Sequence, residues 1–76
     1  MAYMLMAKGI KRGVSDLFIP LARKGKHGLW LELKSLNGIV SSEQSMFLRD
    51  MAAQDYHTAV CYTIEDAIKQ LQLYLY

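Results

Sequence analysis

The chain has little cysteine and proline and no long apolar run. Among its 76 residues, Cys61 is the only cysteine and Pro20 the only proline. A lone cysteine excludes a disulfide within the chain. Its place inside an apolar run predicts a small buried side chain in a reducing compartment, and not a reactive thiol. No apolar run approaches the roughly 20 residues that cross a bilayer, so the sequence predicts neither a membrane span nor a signal peptide.

Acidic residues are nearly missing from the amino-terminal part of the chain, where Asp16 is the only acid before Glu32. The cations of the same stretch are Lys8, Lys11, Arg12, Arg23, Lys24 and Lys26. This excess of positive charge suits a polyanion such as nucleic acid. A net charge of only +2 is equally compatible with a solvated surface that keeps a small protein soluble.

A chain of 76 residues suffices for one domain with one small core. Such a core contributes only about 3–5 kcal/mol of net stability, so we expect help from a partner subunit. The apolar end at 73–76 exceeds what one small domain readily buries and favours the same expectation. No repeat or long linker divides the chain, and residues 1–76 are therefore predicted to form a single domain.

Apolar periodicity and turn residues predict an α/β fold. The predicted elements are a helix at 2–8, a strand at 16–20, a strand at 29–34, a helix at 42–55, a strand at 57–62 and a helix at 65–75. Residues 21–28 hold two glycines and three cations, so the first two strands should form an antiparallel hairpin with a basic tip. The passage from 28 to 62 is long enough for a right-handed crossover between parallel strands, giving a small mixed sheet flanked by helices.

The second strand alternates apolar and polar residues. Because alternate side chains share a face, Glu32 and Lys34 should project together with Trp30. The residues predicted to project the other way, into the core, are Leu29, Leu31 and Leu33. Taken alone, Glu32 and Lys34 are most simply a solvated pair of charges on a strand. Trp30 is most simply a packing residue, with contact to DNA as the alternative.

Both later helices have defined starts. Ser41 is a favourable N-cap, and Gln44 completes a capping-box pattern. By helical spacing Gln44 shares the apolar face of Phe47, Leu48 and Met51, so its amide should point toward the sheet; the alternative is that it only completes the cap. The last helix is capped by Thr63 and should turn a stripe toward the sheet, formed by Ile64, Ala67, Ile68, Leu71 and Leu75.

Three blocks of sequence, in order, resemble the VRR-NUC family, a branch of the PD-(D/E)XK nucleases with the restriction-endonuclease fold. The blocks run from Lys8 to Phe18, from His27 to Lys34 and from Gly38 to Gln44. A bare Glu-x-Lys occurs by chance in many chains, whereas three ordered blocks with a glutamine opening the next helix are far more specific.

The resemblance implies Asp16 and Glu32 as carboxylate ligands of a divalent metal, with the main-chain carbonyl of Leu33 as a further ligand. Oxygen ligands suit Mg²⁺ or Mn²⁺. Lys34 would act as a cation that steadies developing negative charge, because service as a base near neutral pH would require a large depression of the ordinary lysine pKa. Gln44 would orient the lysine, the water or the phosphate. His27 and His57 are expected to be structural, since neither has a partner at metal-site spacing.

Two departures from the family pattern bear on activity. Ser15 stands where members usually carry proline, a change that affects the backbone and not a ligand. No acid precedes Asp16, although members usually supply a glutamate from an amino-terminal helix. Either the chain is a shortened form of the domain or its site works with fewer carboxylates, and this choice bears on whether the site holds a second metal and is fully active.

The resemblance implies a metal-dependent DNA endonuclease acting on branched DNA, such as Holliday junctions or flaps. Stand-alone members of the family look like phage or bacterial proteins that form homodimers, so we expect this protein to be a homodimer. We expect it in the cytoplasm, which would be the host's cytoplasm if the protein is phage-encoded. The six cations before Glu32 are the candidate phosphate contacts. The alternatives are a nucleic-acid-binding module of the same fold with little catalysis, and a structural partner of a larger complex.

Overall fold

A computed structural model describes residues 16–76 of the chain. Its elements are the strand β1 (Leu17–Ile19), the strand β2 (Leu29–Leu33), the helix α1 (Ser42–Ala53), the strand β3 (His57–Cys61) and the helix α2 (Ile64–Leu75). The predicted first helix, Lys8, Lys11 and Arg12 lie outside the described residues. Within residues 16–76, no helix has the length and hydropathy of a membrane-spanning segment.

The three strands form one mixed sheet in the order β1-β2-β3. Strands β1 and β2 are antiparallel, with Phe18 opposite Trp30. Strands β2 and β3 are parallel, with Trp30 beside Thr58, and α1 connects them. The predicted hairpin, the predicted crossover and the small mixed α/β sheet are therefore confirmed.

Two glycines make the hairpin possible. Lys24 and Gly25 both have positive φ, 54° and 79°, and form a tight turn in which Arg23 and Lys26 exchange backbone hydrogen bonds of 3.1 and 2.8 Å. Gly28 precedes β2 where a Cβ atom would lie 2.8 Å from the carbonyl oxygen of Ile19. Only glycine allows β1 to approach the start of β2 this closely.

The two faces of the sheet carry different residues and different helices. On one face, α2 covers a core whose buried members are Leu29, Leu31, Cys61 and Tyr74. On the other face, Trp30 lies between Phe18 and Phe47 of α1, with ring centroids 4.2 and 4.9 Å away. Trp30 thus packs within the domain, and the two helices lie on opposite faces.

Cys61 is only 2% exposed, as the sequence predicted. Burial raises the pKa of its thiol, and the negative charge of Asp66 raises it further. The thiol therefore stays protonated near neutral pH, which is typical of a structural cysteine.

Helix α1 ends two residues earlier than predicted, at Ala53. The left-handed backbone of Asp55, with φ 65°, closes the helix. The amide of Asp55 donates to the carbonyl of Ala52, and the amide of Tyr56 donates to that of Met51. These two bonds satisfy carbonyls at the end of the helix and lead the chain directly into β3.

The predicted core faces of β2 and α2 are wrong at three positions. Leu33 is 40% exposed, at the residue where β2 ends. Ile64, the first residue of α2, is 66% exposed, and Ile68 is 49% exposed although its neighbour Ala67 packs on the core. The residues of α2 that pack on the core are Ala67, Leu71, Tyr74 and Leu75.

Contacts between the end of α2 and the hairpin hold this part of the domain together. The hydroxyl of Tyr74 donates to the carbonyl of Leu21 at 2.6 Å, and the ammonium of Lys24 donates to the carbonyl of Leu73. Leu73 lies in the last turn of α2, where a carbonyl lacks a partner within the helix and a cation is favourable.

Burial raises the pKa of Tyr74, although the hydrogen bond and positive charge of Arg23 lower it in part. Above about pH 10, the unfolded chain loses this proton while the folded chain keeps it, so the free energy of unfolding falls as pH rises. Tyr74→Phe is expected to cost about 1 kcal/mol at neutral pH and to remove that part of the alkaline decline. Urea unfolding between pH 7 and pH 11 measures both effects. An identical decline in Tyr74→Phe and in the control Tyr76→Phe, whose tyrosine is 91% exposed, would contradict the assignment.

Candidate active site

Glu32 is fully buried on the face of the sheet that α1 covers. Its Oε2 atom accepts a hydrogen bond of 2.9 Å from the side-chain amide of Gln44 and lies 3.3 Å from the ammonium of Lys34. A buried carboxylate is costly unless charged and hydrogen-bonding groups compensate for the lost water. Glu32 and Lys34 therefore form an ion pair whose carboxylate is buried, and the simpler interpretation of a solvated pair on a strand is wrong.

Gln44 joins the cap of α1 to the carboxylate of Glu32. Its backbone amide donates to the hydroxyl of Ser41 at 3.1 Å, and its Oε1 atom accepts from the backbone amide of Ser41 at 3.2 Å. With its oxygen held by a donor, its Nε2 group is turned to Glu32. The capping and sheet-facing interpretations of Gln44 are both correct, since one end of the amide serves each.

Asp16 lies just before β1 and reaches across to β2. Its Oδ2 atom accepts a hydrogen bond of 2.9 Å from the backbone amide of Leu33. One step beyond the paired residues Leu17 and Leu31, the antiparallel register places Asp16 opposite Glu32. Side chains of directly opposite residues lie on one face of a sheet, so this register places the two carboxylates on the same face.

The backbone of Leu33 faces the same edge of β2 as Asp16. In an extended strand, the amide and the carbonyl of one residue point toward the same neighbouring strand. The amide of Leu33 meets Asp16, whereas the amide of Lys34 points the other way and donates to the carbonyl of Cys61 at 2.9 Å. The Leu33 carbonyl is thus directed toward the side of the sheet that holds Asp16.

These donors fit a divalent cation that prefers oxygen. They are two carboxylates, from Asp16 and Glu32, and one main-chain carbonyl, from Leu33. Within residues 16–76, no cluster of three or more His, Cys, Asp or Glu side chains has metal-site geometry. Mg²⁺ commonly binds through one or two carboxylates and keeps several waters, so this small donor set suits it.

The other predicted site residues lie elsewhere. Arg23, Lys24 and Lys26 lie at or beside the hairpin turn, before the start of β2, whereas Glu32 and Lys34 lie at its end. Arg23 donates to the carbonyl of Ala22, and Lys24 contacts α2. The structure therefore brings together Asp16, Glu32, Lys34 and Gln44, and it places these three cations at the opposite end of the strand.

The two histidines contact aromatic rings. His57 stacks on Tyr74 with a centroid distance of 5.7 Å, and His27 meets the ring of Tyr56 edge-on at 5.6 Å. His57 lies at the start of β3, away from the carboxylates. Both positions agree with the structural role expected from the sequence.

A cavity of about 380 Å³ adjoins Lys34 and was not predicted. It is lined by Leu33, Lys34, Ser35, Tyr62, Thr63 and Ile64. The sequence could have located this cavity from position alone. Its lining residues lie at or just after the carboxyl ends of two neighbouring parallel strands, where α/β folds commonly bind ligands.

The mixed sheet, with Asp16 beside the strand that carries Glu32 and Lys34, agrees with the restriction-endonuclease-like class of domains that the sequence resemblance implies. The sequence model of the VRR-NUC domain matches residues 3–64. A solved structure of a VRR_NUC domain protein is similar with a TM-score of 0.82 and 32% identity, over 88% of this chain. This chain spans 56% of the length of that protein. A search of curated proteins gives no match. The chain belongs to the VRR-NUC family, whose domain is of the nuclease type.

Proposed function

We propose that this protein is a divalent-metal-dependent endonuclease that hydrolyses phosphodiester bonds in DNA. The observation that carries the proposal is the grouping of Asp16, Glu32, Lys34 and Gln44 in a domain of a nuclease family. Cleavage of labelled DNA that stops when the metal is chelated tests it, and a protein that cuts equally well in excess chelator contradicts it.

Asp16, Glu32 and the carbonyl of Leu33 would hold Mg²⁺ or Mn²⁺. Such an ion withdraws charge from the scissile phosphate and makes water easier to deprotonate. Lys34 supplies a positive charge beside Glu32 and stabilises the negative charge that develops on the phosphate oxygens. A lysine ammonium does this without changing its protonation state. Gln44 holds the carboxylate of Glu32 in place and is a positioning residue.

Comparing Gln44→Ala with Ser41→Ala separates the contact of Gln44 with Ser41 from its contact with Glu32. Gln44→Ala and Ser41→Ala each remove part of the cap of α1 and should each cost about 1 kcal/mol of stability. Only Gln44→Ala also removes the hydrogen bond to Glu32, so only this variant should lose about ten-fold or more in cleavage rate and bind Mn²⁺ more weakly. Thermal melts, calorimetry and single-turnover cleavage measure these effects. Equal losses of cleavage in the two variants would show that Gln44 acts through the cap alone.

Branched DNA, either a four-way junction or a flap, is the proposed substrate. The cations Arg23, Lys24 and Lys26, together with Lys8, Lys11 and Arg12, would contact phosphates without reading sequence. A homodimer, as expected for a phage or bacterial protein in the cytoplasm, would place two sites on one junction. Exposed apolar residues on α2 and at its end, Ile68, Leu73 and Tyr76, support a dimer.

A nucleic-acid-binding module with little catalysis is the second candidate. It is favoured by the small number of acids at the site, since residues 16–76 hold no cluster of three candidate metal-binding side chains. Binding to junction DNA in chelator, followed from low to high salt, tests both candidates against a purely structural role. Both require an affinity that falls steeply with salt, because cations released from phosphates drive binding.

A further inference from the structure

The helices that follow β2 and β3 lie on opposite faces of the sheet. Helix α1 follows β2 and covers the face of Trp30 and Glu32. Helix α2 follows β3 and covers the face of Leu29 and Leu31. The chain leaves the carboxyl end of β2 toward one face of the sheet and the carboxyl end of β3 toward the other face, so a crevice opens between the two strand ends. Ligands commonly bind in such crevices in open α/β sheets.

The 380 Å³ cavity beside Lys34 is this crevice. The sheet order places it on the β3 side of β2, whereas Asp16 lies on the β1 side. The strand β2, which carries Glu32, lies between the cavity and Asp16. Lys34 connects the cavity with the candidate active site, since it lines the cavity and contacts Glu32.

The walls of the cavity suit a flat aromatic ring. Tyr62 and Leu33 are each 40% exposed and Ile64 is 66% exposed, so an aromatic ring and two aliphatic side chains are accessible there. The hydroxyl oxygen of Thr63 accepts the backbone amide of Asp66 at 3.0 Å, which leaves its hydrogen to donate. Apolar walls with a few polar groups and one cation match a heteroaromatic ring attached to a phosphate.

We propose that this cavity binds an unpaired nucleobase of the strand that is cut, next to the scissile phosphate, with Tyr62 as the stacking surface. This inference rests on the proposed function and gives a structural reason for a preference for branched DNA. A paired base is already stacked in the duplex and would first have to leave it, whereas a base at a branch or flap is more readily unpaired. The cavity therefore favours branched DNA over a linear duplex.

The test measures affinity and not cleavage. Junction and flap DNAs carry one abasic residue that is moved, position by position, through the branch, and binding is followed by fluorescence anisotropy in chelator. The wild-type protein should lose about ten-fold in affinity at one position, because base–aromatic stacking is lost there. Tyr62→Ala should bind the intact DNA about ten-fold more weakly and show no further loss at that position. Tyr62→Phe, which keeps the ring, should retain the wild-type profile.

A Tyr62→Ala profile with the same sensitive position as the wild type would overturn the inference, as would a wild-type profile with no sensitive position. Thermal melts of the three proteins confirm that a flat profile does not come from unfolding. Cleavage is scored separately with Mn²⁺. A protein that shows the position-dependent profile but cuts no DNA contradicts the proposed endonuclease and supports the base-binding cavity. A protein that cuts DNA but has a flat profile supports the proposed endonuclease and contradicts the base-binding cavity.

Discussion

Lys34→Ala is expected to lower the rate of DNA cleavage by about 10²–10³-fold while changing DNA affinity by no more than a few-fold. The ammonium of Lys34 lies 3.3 Å from Glu32, and only 15% of its side chain is exposed. Its charge is therefore directed at the reacting phosphate and adds little to the phosphate contacts along the DNA. Single-turnover cleavage of a junction, with affinity measured separately by anisotropy in chelator, separates the two effects.

The matched control is Lys69→Ala, which removes an exposed lysine from α2 and should cut DNA at the wild-type rate. Removing Lys34 also leaves the buried Glu32 with less compensation for its charge, so some loss of stability is expected and both assays belong well below the melting temperature. If Lys34→Ala cuts as fast as Lys69→Ala, Lys34 has no part in the reaction. If its affinity falls as much as its rate, Lys34 binds DNA and does not act on the reacting phosphate.

Glu32→Gln is expected to abolish metal-dependent cleavage, with a loss of about 10³-fold or more, and to leave the domain folded. Glutamine has nearly the same shape, and its carbonyl oxygen can still accept from Gln44, so the packing under α1 is kept. Only the negative charge that a hard divalent cation requires is lost. Calorimetric titration with Mn²⁺ should show weaker binding than the wild type.

The stability of Glu32→Gln provides an independent check. Because the ammonium of Lys34 is only 15% exposed, replacing the charge of Glu32 by a neutral amide leaves that ammonium without its counter-charge and should cost some stability, while the retained hydrogen bond to Gln44 keeps the domain folded. The control Asp50→Asn removes an exposed carboxylate from α1 and should change neither Mn²⁺ binding nor cleavage. Wild-type Mn²⁺ affinity in Glu32→Gln would show that the metal is held elsewhere in the protein.

Local sequence signals predicted the scaffold of the site. The short connection at 21–28 and the length of chain between β2 and β3 predicted which strands are antiparallel and which are parallel, and both pairings were confirmed. The pairing of Ser41 with Gln44 was predicted because a capping box depends only on residues three apart. Helical spacing then placed Gln44 toward the sheet, where its side chain meets Glu32.

Features that depend on where one element ends against another were not predictable in the same way. Alternation assigned Leu33 to the core, but β2 ends at that residue. Helical spacing assigned Ile64 and Ile68 to the sheet, but Ile64 stands at the very start of α2 and both side chains are exposed, whereas Ala67 between them packs on the core. The cavity near Tyr62 arises from the opposite placement of α1 and α2, which no single segment of sequence encodes.

The most direct test of the proposed endonuclease is cleavage of labelled four-way junction, flap and linear duplex DNA by the purified wild-type protein. Each DNA is incubated with Mn²⁺, with Mg²⁺ and with chelator, beside Glu32→Ala. The proposed function predicts metal-dependent cutting that favours branched DNA and disappears in chelator and in Glu32→Ala. Tight binding of the junction with no cutting in either metal, or cutting that persists in Glu32→Ala, would contradict it.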